Sequence, residues 1–358
     1  MRWPQTGGAA LARVTLQTIA DRLGVSRTTV SNAWSRPDQL STELRERILA
    51  VADELGYAGP DPAARGLRRG RADAIGLLLT EALSFAFADA YARDLLRGVA
   101  LATDEADTGL LLIPLPIGRQ IGAALRGAAV DGFVVYSMPD AHPAVDLLRH
   151  RGVPLVTIDG PRLPDVPFVG IDDRAAAAEL TGRVLAAGHR RLLVLAFRVV
   201  DDGRTGLVDD ERIEGAAYRV SCERLRGIQD ACRQAGIPRG DVEIHEVGLN
   251  TREGGRRVVE AALERESSPT AVVAISDELA AGAVDAARAR GWTVPEHLTV
   301  VGYDDLELAE QLDLTTVRQP SAEKGRLAAG QLVGVSEPGD VLLAHTIVQR
   351  GSVAAPRR

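Results

Sequence analysis

The chain has 358 residues, enough for two or three hydrophobic cores. Its content of 46% hydrophobic and 25% charged residues is that of a globular protein, and no apolar run approaches the roughly 18 residues of a membrane span. The net charge of −7 argues against a nucleic-acid partner for the chain as a whole, and two cysteines, Cys222 and Cys232, exclude a disulfide scaffold or a cysteine–histidine zinc site.

The charge is not evenly spread. Through Arg71 there are 11 arginines against 7 acidic residues, a surplus of +4, so the overall −7 leaves −11 for the remainder. A basic front on an acidic body fits a protein that touches phosphate at one end only. Residues 1–13 have no periodicity and read as a disordered lead, and without a long apolar stretch there they give no sign of export, which points to the cytoplasm.

Val14 to Ser35 is the most informative stretch. Thr15 can cap a short helix with Leu16, Ile19, Ala20 and Leu23 on one face, and Gly24 follows where a left-handed residue is cheap. Ser26 then caps a second helix, Arg27 to Trp34, with Val30 and Ala33 facing inward. The pattern is a helix-turn-helix whose second helix is sized for a DNA major groove. Arg27, Thr28, Ser31 and Asn32 form its outward polar face and suit base edges or phosphates. After the loop at Arg36-Pro37-Asp38, a third helix opens at Ser41 or Thr42 and carries Leu44, Ile48, Val51, Ala52 and Leu55, closing a small core at 14–57. Residues 58–71 are rich in proline and glycine, yet Asp61-Pro62 is a good helix start. A short basic helix there would hold Ala63, Ala64 and Leu67 among Arg65, Arg68, Arg69 and Arg71; the bland alternative is a solvated linker touching phosphates.

The run TLQTIADRLGVSRTTVSNAWSRPDQLSTELRERILAVADELGY resembles the DNA-binding headpiece of the LacI/GalR transcriptional regulators, and the likeness extends more weakly to about residue 352. The resemblance implies a dimeric repressor of double-stranded DNA, with a near-palindromic operator and a grip set by a small molecule. Carried over by position, Arg27, Thr28 and Asn32 would read bases and Ser31 would hold phosphate. Ala64, Arg65, Leu67 and Arg68 would belong to a hinge helix whose leucine wedges into the minor groove. Gly66 departs from the family pattern and costs about 1 kcal/mol of helix propensity.

From Ala72 the pattern alternates strand and helix. Apolar strands fall at 74–79, 110–115, 131–136 and 154–158, then at 192–197, 242–247, 271–275 and 298–303, with helices between, so parallel sheets covered on both faces are expected. The two rounds resemble the paired lobes of periplasmic sugar-binding proteins. The predicted architecture is therefore an α-helical helix-turn-helix headpiece followed by a two-lobed α/β effector domain over 72–358. The N-lobe is expected at about 72–171 and 304–331, and the C-lobe at about 172–303 and 332–352.

Ligands of such folds sit at the carboxyl ends of strands, between the lobes. Asp277 follows a strand in AISDELAAG, with Ser276 in place of the family's asparagine; Arg224 precedes a glycine by three; Asp172 lies in VGIDDRAA, where Asp173 is an alternative. The family uses these positions for its effector, and a guanidinium with two carboxylates suits the hydroxyls of a sugar or polyol. The loop Thr80 to Phe87 adds Ser84, Phe85 and Phe87, aromatic faces for stacking or for the core. The acidic segment 198–223 exceeds the family's expected length. Its Asp201-Asp202 and Asp209-Asp210 pairs could bind a divalent cation, but a solvated insertion fits better; a lid over the pocket is the other reading. His189 and Asp304-Asp305 match structural positions. No catalytic signature, cofactor motif or metal motif emerges, leaving a ligand-blind regulator controlled by a protein partner, or an enzyme on this scaffold, as the lesser alternatives.

Overall fold

The computed structural model describes residues 14–59, 70–116, 122–200 and 202–357, and the chain divides into two units between Ala72 and Asp73. The smaller unit is a three-helix core. Helix α1 (Leu16–Leu23) begins at a reciprocal capping box, in which the Thr15 hydroxyl accepts from Thr18 N and the Thr18 hydroxyl accepts from Thr15 N. It ends at Gly24, whose φ of 66° is left-handed. Ser26 caps α2 (Arg27–Ser35) and Ser41 caps α3 (Thr42–Glu54). Ile19, Val30 and Ile48, one from each helix, are completely buried at its centre, and the small Ala20, Ala33 and Ala52 let the helices approach. Trp34 meets Tyr57 edge-on at 5.7 Å, closing the open side of this core.

The larger unit begins with β1 (Ala74–Leu79), α4 (Leu83–Ala88), α5 (Ala90–Glu105), β2 (Gly109–Pro114), α6 (Ala123–Gly127), β3 (Phe133–Tyr136), α7 (Pro143–Arg151), β4 (Leu155–Ile158) and β5 (Phe168–Ile171). It continues with α8 (Asp173–Ala186), β6 (Leu192–Phe197), β7 (Gly206–Leu207), α9 (Asp210–Glu214), α10 (Arg219–Gln234), β8 (Val242–Val247), α11 (Arg252–Leu263), β9 (Ala271–Ala274), α12 (Asp277–Ala289), β10 (Thr299–Val301), α13 (Glu307–Gln311) and β11 (Thr316–Arg318). It closes with α14 (Ser321–Val333), β12 (Val341–Leu343) and β13 (Thr346–Val348). One sheet is wholly parallel in the order β12-β5-β4-β3-β1-β2. The other runs β10-β9-β6-β8-β7 and is parallel except for the two-residue β7. Buried valine, leucine and isoleucine fill both, as continuous apolar strands with helices on each face require.

The chain passes between lobes differently from the sequence-based division. Ala309, Leu314 and Val317 lie in the C-lobe core, not the N-lobe, because Gly302 N donates to the Thr315 carbonyl and draws this segment against the end of β10. Conversely, β12 pairs with β5 and so joins the N-lobe sheet rather than the C-lobe. Its three residues, flanked by Asp340 and Ala344, are too few for periodicity to declare a strand. Helices α5 and α14 pack over the N-lobe sheet so closely that a Cβ on Gly98 would stand 1.8 Å from the Ala322 carbonyl oxygen, which is why glycine is needed there. The stretch after β1, expected as a loop, is the short helix α4.

Candidate functional site

On the headpiece, the inward pull of Val30 and Ala33 turns the opposite face of α2 outward. Arg27 and Thr28 are exposed, and Ser31 and Asn32 are half-buried beside them. The Asn32 amide donates to Gln39 Oε1 at 3.3 Å, so Gln39 shares this polar face; it was not singled out in the sequence, where it reads as a loop residue. Arg45 Nε donates to the Ala33 carbonyl at 3.3 Å and fixes the end of α2 on α3. Ala64, Arg65, Leu67 and Arg68 lie outside the described residues.

In the larger unit, a cleft opens where the carboxyl ends of the two sheets face each other. It encloses about 770 Å³ of non-protein space, part of it open to solvent. The N-lobe contributes Thr80 and Glu81 beyond β1, Phe85 of α4, Asp89 and Tyr91 at the start of α5, Tyr136 at the end of β3 and Asp159 beyond β4. The C-lobe contributes Phe197 and Arg198 at the end of β6, Tyr218, Ser221, Arg224 and Asn250, with Asp304 at the crossover. Tyr91 and Tyr136 stack with centroids 6.2 Å apart and an interplanar angle of 26°. Burial raises the Glu81 carboxyl to about 7 and pushes Asp89 upward as well; the Arg198 guanidinium pulls Glu81 down while Asp89 pushes it up.

Of the effector-contact candidates named from the sequence, Arg224 and Phe85 border the cleft, as does Asp304, expected there as a structural position. Arg224 is 3% exposed. Its Nε donates to Asp173 Oδ1 at 2.8 Å, its Nη1 donates to the Ile275 carbonyl at 2.7 Å and lies 3.5 Å from Asp304, and its plane stacks 3.6 Å from the Tyr303 ring centre. Asp304 is held well above the usual carboxylate range by burial, which Arg224 only partly offsets; Asp173, at hydrogen-bonding distance, is the nearer carboxylate. The inward carboxylate is therefore Asp173, not Asp172: Asp172 is exposed, does not border the cleft and caps α8 through Ala175 N at 2.9 Å.

Asp277 and Ser276 also lie off the cleft lining. Asp277 accepts from Leu306 N at 2.8 Å and from the Thr316 hydroxyl at 2.7 Å, tying α12 to the crossover. Ser276 caps α12 through Leu279 N and donates to Asn250 Oδ1, which does reach the cleft. Ser84 is exposed and Phe87 is 54% exposed on the outer side of α4, so neither lines the cleft. Of the acidic pairs, Asp202 faces Arg212, Asp209 caps α9 and Asp210 pairs with Arg239, so these carboxylates serve arginines and a helix terminus rather than a common cation; Asp201 lies outside the described residues. His189 bridges Thr270, Thr299 and the Ala354 carbonyl, and burial favours its neutral ring.

The buried Asp277 gives a pH-dependent test. Burial raises it from 3.8 to about 7 against the lowering by its two hydrogen bonds. The fold then binds this proton more tightly than the unfolded chain, so the contribution favours the folded state as pH falls from about 7 towards 4 and is lost as pH rises. Asp277→Asn is expected to flatten that dependence: the Tm gap between wild type and variant, followed by circular dichroism, should move in favour of wild type between pH 8 and pH 5.

A three-helix headpiece with an outward polar helix, followed by two α/β lobes around a polar and aromatic cleft, defines a ligand-binding transcriptional regulator. Residues 15–59 match the model of bacterial regulatory proteins of the lacI family, and residues 181–353 match the periplasmic binding protein-like domain. The HTH-type transcriptional regulator Rv3575c of Mycobacterium tuberculosis is 43% identical over 350 residues, covering 96% of this chain and 98% of its own. A crystal structure of a LacI family regulator from Corynebacterium glutamicum is 38% identical with a TM-score of 0.73, covering 96% of this chain and 99% of its own. The complex of the transcriptional regulator CelR with cellobiose is 28% identical with a TM-score of 0.67, covering 95% and 100%. The chain belongs to the LacI family of transcriptional regulators. No helix among the described residues is long and apolar enough to cross a membrane.

Proposed function

We propose that the protein is a cytoplasmic, homodimeric repressor whose hold on a near-palindromic operator in double-stranded DNA is set by a sugar or polyol in the interlobe cleft. The observation that supports the effector class most is the cleft lining: the stacked Tyr91 and Tyr136 and the nearby Phe85 offer faces for the C–H side of a ring, while Asp89 and Asn250 offer polar groups for hydroxyls. The likeness to a cellobiose-bound regulator supports the same class. Thermal-shift titration of the full chain against neutral sugars, polyols and nucleosides tests it: saturable stabilisation by a polyhydroxylated compound is expected, whereas stabilisation by nucleosides alone, or by nothing, would overturn the effector class.

In this reading Arg27, Thr28 and Asn32 contact bases, with Arg27 suited to guanine and Asn32 to adenine, and Ser31 holds phosphate. The same reading assigns Ala64, Arg65, Leu67 and Arg68 to minor-groove contact. Each bidentate base contact discriminates by about 1–3 kcal/mol. Asn32→Ala should therefore relax preference at one position per half-site by about one to two orders of magnitude, read by competitive binding to a half-site library. Uniform weakening over all sequences would assign Asn32 to the backbone instead.

A further inference from the structure

Arg198 follows the last residue of β6 in a left-handed conformation, with φ 48°. From the C-lobe its Nη1 reaches across the cleft to Glu81 Oε1 at 2.8 Å and to the Thr80 hydroxyl at 3.3 Å, both just past β1 of the N-lobe. The two side chains are only 13% and 24% exposed, so above the raised Glu81 pKa of about 7, where both are charged, solvent screens their attraction far less than that of a surface pair. Thr80, Glu81, Phe85, Arg198 and Tyr218 border both the inner cleft and a second, outer cavity that adds Pro116, Val200 and Leu249. The ion pair is thus a bar across the mouth, with space on either side.

The acidic segment that follows explains why Arg198 stays there. Val199 N donates to Glu246 Oε1 at 2.7 Å, and the Val199 carbonyl accepts from Ala217 N at 2.8 Å. Glu246 Oε2 accepts from Arg212 Nε at 2.6 Å, and Arg212 grips Asp202 with both terminal nitrogens at 2.8 and 2.9 Å. The segment is further stitched on by β7, which pairs antiparallel with β8. Residues on both sides of the insertion are therefore fixed to the C-lobe sheet, and the residue next to Arg198 is fixed with them.

We propose that the Arg198–Glu81 pair is a latch that holds the lobes closed at the mouth of the cleft, and that Val199 and residues 202–218 are a brace whose Arg212 positions Arg198. The proposal deepens the effector reading, since a ligand entering from the outer cavity must part this pair, but its test needs no effector and so can fail separately. Spin labels placed by Phe87→Cys on the N-lobe and Leu249→Cys on the C-lobe, 54% and 53% exposed, report the opening of the mouth by pulsed dipolar spectroscopy on the ligand-free full chain. The native Cys222 and Cys232 are buried and stay unlabelled in the folded protein.

The wild-type distance distribution should be short and narrow. Arg198→Glu and Glu81→Arg should each shift it longer and broaden it, and the two reversals together should return it towards wild type. Arg212→Gln should lengthen it while leaving the latch charges in place. Should a charge reversal impair folding, as judged by thermal melts, the neutral Arg198→Gln takes its place with the same expected lengthening. A single reversal that leaves the distribution unchanged, or a double reversal as open as either single, overturns the latch; an unchanged distribution in Arg212→Gln overturns the brace.

Discussion

Arg224→Ala is expected to destabilise the effector unit by about 3–5 kcal/mol, the usual loss when one member of a buried ion pair is removed and its partner stays charged in the interior. The variant leaves Asp173, 8% exposed, with the Tyr303 hydroxyl at 3.0 Å as its remaining side-chain donor among the described residues, and it leaves the Ile275 carbonyl without its guanidinium donor. It also strips the face of the Tyr303 ring, on which the guanidinium lies. The midpoint of urea unfolding should fall steeply, and Arg224→Met combined with Asp173→Asn should recover most of the loss, because a pair replaced by neutral groups of similar volume costs little. An unchanged midpoint for Arg224→Ala would mean that the arginine is free for ligand and that its hydrogen bonds contribute no stability. The expected result changes how any loss of effector response in this variant is read: Arg224 is part of the back wall of the cleft as well as a surface of it.

That dual role shows where sequence reasoning stops. The headpiece was legible because its determinants are local: Thr15, Gly24, Ser26 and Ser41 mark helix ends by their own chemistry, and the apolar spacing between them leaves one arrangement. The alternation of strand and helix made the two-lobed body equally plain. The cleft was legible only where it coincided with a spaced motif, as at Arg224. Between Asp172 and Asp173 the sequence offers no choice, since either can cap the helix; the fold decides by turning Asp172 to solvent as the cap and Asp173 inward to the arginine. Asp277 sits at a strand's carboxyl end, but its carboxylate is taken by Thr316 and Leu306, partners that only the return of the chain after β10 supplies. Tyr136 and Asp159 also stand at strand ends, and the carboxyl-end rule applied to β3 and β4 as strictly as to β9 points to them. Tyr91 and Gln319 carry no local signal at all. Lys324 carries one of composition, as the single lysine among 42 basic residues.

That lysine yields the second large effect. Lys324→Met should cost about 3–5 kcal/mol by stranding a buried carboxylate, and Lys324→Arg should fail to restore the loss. Lys324 is wholly buried, and its Nζ donates to Asp159 Oδ1 at 2.6 Å, Gln319 Oε1 at 2.6 Å and the Tyr91 hydroxyl oxygen at 3.1 Å. The Tyr91 hydroxyl donates a hydrogen bond to Asp159 Oδ2 at 2.8 Å, and burial together with that carboxylate keeps the phenol protonated, with its pKa well above the usual value. Three acceptors converging on one point match an ammonium, whose three donors diverge from a single atom; a planar guanidinium spreads five donors over a larger fork and cannot meet all three in the same volume. This accounts for lysine at one position in a chain that otherwise uses arginine. Through Gln319, which donates to Asp304, the cluster joins Arg224, so one buried polar chain links β4 of the N-lobe to α10 of the C-lobe across the crossovers. Asp159→Asn added to Lys324→Met removes the stranded charge and should recover much of the urea midpoint. If Lys324→Arg unfolds at the wild-type midpoint, the fit of an ammonium to these three acceptors is not what selects lysine there.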